Sequence, residues 1–290
     1  MVLQKNNNNY TCLPGIVKTV SFVGAGNVAT HLALALYKAG FKVSGIYSRT
    51  RISASELAEK VGSRVCTDIA EVCQNSQLVI VSVPDHAFSA LLKLQVPDDV
   101  IIIHTCGTVE MTVFKNNAAH YGVLYPLQTF SQKVALDLKN VPVCIEASDN
   151  NTLDAIRLVA SSFSDNVTEI SSEKRKILHL AAVFACNFPN AMYAMADDIL
   201  KTTGLSFSLL HTLIIETARK ATLDQPWNVQ TGPARRNELT TIQTHEAMLK
   251  DIATYEEIYK LLSNTILMHY KEKENQDNKF LNGDKEDIYE

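Results

Sequence analysis

Residues 19–47, TVSFVGAGNVATHLALALYKAGFKVSGIY, constrain the fold more than any other part of the chain. An apolar strand runs into a glycine turn, the turn opens a helix with apolar periodicity, the helix closes at Gly40, and a second strand follows at once. A strand that is apolar on both faces has to be covered on both, and a strand-helix-strand unit does this by placing its helix against a parallel sheet. The same rhythm continues to about residue 171. Strand patterns KTVSFVG, KVSGIYS, LVIVSVP, VIIIHT, YGVLYPL, PVCIEA and NVTEIS alternate with helical patterns such as ISASELAEKVG and TLDAIRLVASSF. The expectation is an α/β fold with a doubly wound parallel sheet of the Rossmann kind.

The turn reads Gly24-Ala25-Gly26-Asn27-Val28-Ala29. Gly24 permits the tight turn, Gly26 lets the main chain approach a pyrophosphate, and Ala29 allows close packing of helix on strand. The amides of Asn27 and Val28 open the helix and present hydrogen-bond donors at its positive end. The nucleotide is chosen at the end of the second strand. An NAD site places a carboxylate there for the ribose hydroxyls, but this chain has Tyr47-Ser48-Arg49-Thr50-Arg51, with no acid before Glu56. Ser48, Arg49 and Thr50 suit a 2′-phosphate, so the expected cofactor is NADP(H). Further along, Val83-Pro84 ends one strand and His104-Thr105-Cys106-Gly107 another. Val83 and Pro84 are expected to lie against the cofactor, and Thr105 and Cys106 to reach the substrate; His104 has an ordinary core role as its alternative.

After SSEKRK the texture changes to long helical patterns without a strand. The domain organisation expected is a disordered lead-in over residues 1–17, an NADP-binding domain over 18–171, an all-helical domain for substrate and dimerisation over 172–270, and a polar tail over 271–290. A net charge of −4 gives no field for nucleic acid, and no uninterrupted apolar run has the length of a membrane span. Six scattered cysteines form no C-x-x-C pair, so no zinc site or disulfide framework is signalled and a cytoplasmic location is expected.

FVGAGNVATHLALAL, HTCGTVEM, GVLYPLQTFS, VPVCIEA, LHLAAVFACNFPNAMY and QTGPARRNELTTIQTHEAML together resemble the Rossmann-like proteins that carry a DUF2520 domain. That family is grouped with the coenzyme F420-dependent NADP oxidoreductases, and more distantly with the 6-phosphogluconate, 3-hydroxyisobutyrate and pyrroline-5-carboxylate enzymes. The resemblance spans about residues 18–265. It implies an NADP-dependent oxidoreductase, commonly a homodimer. In the hydroxyacid dehydrogenase relatives a lysine on the first helix of the second domain moves the proton that accompanies hydride transfer. Lys176-x-x-His179 resembles the K-x-x-H of the 6-phosphogluconate enzymes, with Leu180 in place of the asparagine that follows there.

Helix spacing bears on the same residues. Lys176 and Asn187 are eleven positions apart, as are His179 and Asn190, so each pair shares a face of an otherwise apolar helix, with Pro189 as a candidate kink. Eleven residues span about 16 Å, too far for one pair to meet one reacting atom. His179 is favoured over Lys176 as proton donor because an imidazole titrates near neutrality, with Asn187 and Asn190 binding other parts of the ligand. Gly232-Pro233-Ala234-Arg235-Arg236 is read as a turn into a helix whose arginines clamp a substrate anion; the family pattern GP-x-x-R singles out Arg236 over Arg235. The function expected is hydride transfer to or from a small anionic carbonyl or imine compound. A nucleotide-binding sensor without turnover and an F420H2:NADP oxidoreductase are the alternatives.

Overall fold

A computed structural model describes residues 17–283, so the expected lead-in, Val17 apart, and residues 284–290 of the tail lie outside it. All seven anticipated strands form: β1 Thr19–Val23, β2 Lys42–Tyr47, β3 Leu78–Val81, β4 Ile101–His104, β5 His120–Pro126, β6 Val143–Ala147 and β7 Val167–Glu169. They make one sheet in the order β2-β1-β3-β4-β5-β6-β7. Every residue of β3 and β4 is buried, because helices cover both faces of the sheet's centre.

The sheet departs from the parallel expectation at one edge. β5 and β6 are antiparallel, while β6 and β7 are parallel, so the last two strands run against the other five. The cause is the connection: residues 127–142 hold no helix to carry the chain back across the sheet, so the strand returns beside its predecessor.

Helices α1 Asn27–Lys38, α2 Arg51–Val61, α3 Ala70–Cys73, α4 Phe88–Leu91 and α5 Asn150–Ser161 cover the sheet. Next come α6 Ser172–Ala182, a π-helical segment Val183–Asn187, and α7 Phe188–Lys201. Then α8 His211–Leu223, α9 Leu239–Leu249 and α10 Ala253–Gly283 complete the described chain. α10 continues well past residue 271, where a polar tail was expected, because no proline and no glycine before Gly283 interrupts a run that passes 271 on alternating Lys and Glu.

The chain divides into two compact units, Met1–Pro189 and Asn190–Glu290, so the first unit keeps the beginning of the helical region that the sequence assigned to the second domain. The reason lies at the start of α6. Arg175 is fully buried, and its guanidinium donates to Glu146 on β6 at 2.7 Å and to the Val109 carbonyl at 2.5 Å. Ser172 donates its amide and hydroxyl to the same carboxylate, at 2.9 and 2.6 Å, and its hydroxyl accepts the Met111 amide at 3.0 Å. Ser171 caps the helix, its side chain accepting from the Lys174 amide. By length and composition the helical stretch Ser172–Lys201 is apolar enough to cross a membrane, an 18-residue window of it reaching a mean hydropathy of 1.2. Counting only uninterrupted apolar runs missed it, because the polar residues are spread along its length; its first turn is bound to the sheet.

Removing one partner of the Arg175–Glu146 pair leaves a buried charge uncompensated. Arg175→Ala or Glu146→Ala is therefore expected to lower unfolding free energy by about 3–5 kcal/mol, measured by denaturant unfolding.

Candidate active site

The first unit carries the cofactor cradle. Gly24 has φ +108°, and a Cβ there would stand 2.1 Å from the Ser82 carbonyl oxygen, so only glycine lets the end of β1 pass the end of β3. Its amide donates to the Tyr47 carbonyl at 2.7 Å. Gly26 precedes α1 and faces open space, with no atom within 4 Å of where a Cβ would stand. α1 begins with no side-chain cap and no acid in its first turn, so its positive end is neither capped nor neutralised locally. These features fit a pyrophosphate.

Two hollows flank this turn. One, of about 400 Å³, is lined by Gly24 and Gly26, by Ser48, Arg49 and Thr50, and by Val83 and Pro84. It gathers most of the residues the sequence assigned to the nucleotide, and adds His86. The other, of about 410 Å³, is lined by Asn27 and Val28, by Tyr125 and residues 127–130, and by His179, Ala182, Cys186 and Asn187. A larger hollow, of about 760 Å³, lies away from these groups, beside Lys38 and Lys60.

A loop after β5 closes over the start of α1. Asn27 Nδ2 donates to the Phe130 carbonyl and His31 Nε2 to the Ser131 carbonyl, each at 2.9 Å, while Gln132 Nε2 donates to Thr30 Oγ1 at 3.1 Å. The residues that bind α1 therefore adjoin those lining the second hollow.

His179 enters that hollow from α6. Its Nδ1 lies 3.0 Å from the Tyr125 hydroxyl, and the two rings meet edge to face. A Cβ on Gly107 would stand 2.6 Å from both Cγ and Nδ1 of His179, so the imidazole occupies space that only glycine leaves. Burial pushes the Tyr125 phenol up to about 12. Lys176 is turned elsewhere and pairs with Glu110. Asn187 joins His179 in the hollow although it was expected on the Lys176 face. The π-helical segment between them inserts extra backbone per turn and rotates the residues beyond it, which defeats an eleven-residue alignment. Asn190 begins the second unit.

Thr105 and Cys106 do not reach either hollow wall. The Thr105 hydroxyl donates to Ser82 Oγ at 3.2 Å, and the Cys106 thiol donates to the Val83 carbonyl at 3.4 Å, so both serve to join the two strand ends. Burial, reinforced by the neighbouring Asp85, pushes the Cys106 thiol up to about 12 and keeps it protonated. His104 is a satisfied core group. Its Nδ1 accepts the Cys106 amide at 3.2 Å, its Nε2 faces the Glu110 carbonyl at 3.3 Å, and burial lowers it to about 3.

In the second unit, Arg235 and Arg236 lie in a turn and not in a helix, because Gly232 and Asn237 have positive φ and α9 starts only at Leu239. Arg235 stacks over the Tyr270 ring at 3.7 Å. Arg236 is held at two nitrogens by Glu238, at 2.7 and 3.1 Å.

Sequence reasoning overlooked Tyr125, Arg175 and Glu146, and saw Gly107 only as part of a strand ending and not as the space for a ring. A signal was present: Ser172, Arg175 and His179 stand at i, i+3 and i+7, the spacing of one helix face.

Comparison with known proteins agrees with this architecture. Residues 19–106 match the family of coenzyme F420-dependent NADP oxidoreductases, and residues 141–266 match DUF2520, a domain of unknown function. A crystal structure from Bacteroides fragilis, assigned as an NADP oxidoreductase, shares 44% identity over 87% of this chain and 98% of its own, with a TM-score of 0.83. The chain belongs to the DUF2520-containing family of NADP oxidoreductase-like proteins. For this family member the N-terminal match makes NADP(H) the cofactor class. A Thermotoga maritima protein is 27% identical over 85% of this chain and 99% of its own, with a TM-score of 0.69. A reductive aminase from Aspergillus terreus, in complex with NADPH and ethyl-5-oxohexanoate, shares the fold at 14% identity, a TM-score of 0.68, and coverage of 88% and 94%. No curated protein matches the chain.

Gly107→Ala is expected to displace the His179 ring and lower stability by about 1–3 kcal/mol, read as a fall in Tm. His104 is depressed in the fold from an ordinary 6.5 to about 3, so unfolding takes up a proton between those values. Its contribution to stability is complete above pH 6.5 and is lost as pH falls towards 3, at up to about 1.4 kcal/mol per pH unit. Unfolding curves of His104→Gln should show a shallower acid slope.

Proposed function

We propose that this protein is an NADP(H)-dependent oxidoreductase that transfers hydride to or from a small, anionic carbonyl or imine compound. The observation that carries the reading is the placement of His179 and Tyr125 in a hollow that Asn27 and Val28 of the glycine turn also line. The bound nicotinamide supplies or accepts the hydride. The protein's own part is to hold the pyrophosphate at Gly24, Gly26 and the start of α1, and the 2′-phosphate at Ser48, Arg49 and Thr50. His179 exchanges the proton at the substrate heteroatom, and Asn187 offers an amide to the same ligand. Lys176 is less suited, since its ammonium is engaged by Glu110.

The anionic character of the substrate is inferred from the chemistry of Arg236, within the second unit alone. Glu238 grips this guanidinium through two nitrogens, the geometry with which it would receive a substrate carboxylate. The helical unit is proposed as the homodimer surface. α7 and α8 have no buried residue in the single chain, and Leu209, Leu213, Ile215, Leu261 and Met268 are exposed, a state that a second copy would relieve. Buried free thiols at Cys66, Cys73, Cys106 and Cys144 suit a reducing, cytoplasmic setting.

Thermal stabilisation on titration with NADPH against NADH tests the cofactor assignment. NADPH is expected to bind more tightly by about tenfold or more, and Arg49→Ala to erase that preference. Turnover is then assayed over keto acids, cyclic imines and F420. His179→Ala should lower kcat by about 100-fold. NADPH binding with no turnover on the whole panel would overturn the enzymatic reading in favour of a sensor.

A further inference from the structure

Tyr125 is the unassigned group closest to the proposed chemistry. It stands near the carboxyl end of β5, 9% exposed, and lines the hollow that His179 enters. We propose that Tyr125 is a positioning residue for proton transfer: its oxygen accepts Nδ1–H of His179 in both charge states of the ring and so reserves Nε2 for the substrate. The inference rests on the functional reading above and extends it to the atom that exchanges the proton.

The ring has two nitrogens, and the bond made by one sets what the other can do. Nδ1 of His179 is committed: it lies against Gly107 and 3.0 Å from the Tyr125 hydroxyl. Among the described residues Nε2 has no hydrogen-bond partner, so it is the nitrogen left to meet a ligand. If the phenol donated to Nδ1, the neutral ring would carry its hydrogen on Nε2. It would then have no lone pair facing the hollow and could act as an acid only by forming an imidazolate. With Nδ1–H donated to the phenol oxygen, Nε2 can both give and take a proton. In the reducing direction the Nε2–H bond of the imidazolium breaks and its proton forms the new O–H or N–H bond of the product, while hydride reaches the adjacent carbon from NADPH. The neutral ring keeps its hydrogen on Nδ1. The oxidising direction reverses each bond change.

The character of the acceptor matters as well. A carboxylate against Nδ1 would bias the ring towards imidazolium, whereas a buried phenol stays a neutral hydroxyl and adds no such bias. Burial disfavours the phenolate more than the nearby Arg175 guanidinium favours it, so the phenol remains protonated.

Two readouts test the proposal on the full-length protein. Nitrogen-detected NMR of 15N-histidine-labelled protein, with His179 assigned through His179→Gln, should show the neutral ring protonated on Nδ1. Tyr125→Phe should move it towards the Nε2–H form that a free side chain favours. The same variant keeps the edge-to-face ring packing, and its kcat should fall about tenfold or more while KM for substrate and NADPH stays within about threefold. An Nε2–H tautomer in the unsubstituted protein, or the same spectrum in Tyr125→Phe, overturns the proposal; so does turnover that depends on His179 and not on Tyr125. If no substrate turns over, the functional reading fails, and the tautomer of the unsubstituted protein still decides the role of Tyr125.

Discussion

The buried pair between Arg175 and Glu146 is the interaction on which the placement of the site depends. Glu146 comes from the strand that turns back against the sheet, and Arg175 from the first helix after β7. A fully buried guanidinium is costly unless its hydrogen bonds are supplied, and here Glu146, Ser172 and the Val109 carbonyl supply them, with only Nε left without a partner. The network sets the rotation of α6 about its axis. His179, one turn beyond Arg175 on the same face, is thereby aimed at Tyr125 and Gly107. Lys176, the next residue round the helix, is carried to Glu110 instead. One ionic anchor thus separates two residues that sequence resemblance had presented as alternatives.

The cofactor side depends on a different use of space. Gly24 is where two strand ends pass at backbone distance, while Gly26 is open. The loop after β5 then ties the start of α1 to the residues around the second hollow through Asn27, His31 and Gln132. The same loop follows directly on Tyr125 and Pro126, so the strand that carries the phenol also leads into the segment that closes over the glycine turn. Strand-end residues Thr105 and Cys106 hold this arrangement together through Ser82 and Val83.

Legibility varied with the range of the interaction. The seven strands, the glycine turn and the Ser48-Arg49-Thr50 ending are encoded by neighbours in sequence, and each was readable as a local pattern. The reversal of β6 was less so, since it arises from a connection that lacks a helix. The pairing of Lys176 with Asn187 and of His179 with Asn190 used α-helical spacing with Pro189 as a candidate kink; the π-helical segment over Val183–Asn187, just before that proline, changes the periodicity. Arg235 and Arg236 were read as helical, but the positive φ of Asn237 ends their turn before α9 begins.

By itself, then, the sequence determined an α/β nucleotide fold, an acid-free Ser48-Arg49-Thr50 ending after its second strand and a helical region carrying the candidate proton donor. These come from hydrophobic period, glycine stereochemistry and charge type, which act over a few residues. Tertiary structure alone decided which side chain of α6 faces the hollow, that Gly107 makes room for it, and that Tyr125 meets its Nδ1. Those outcomes rest on contacts between β5, the loop after β4 and α6, separated by 54 residues in the case of Tyr125 and His179. No local pattern records such a meeting, because it exists only when a buried charge has fixed how the helix is turned.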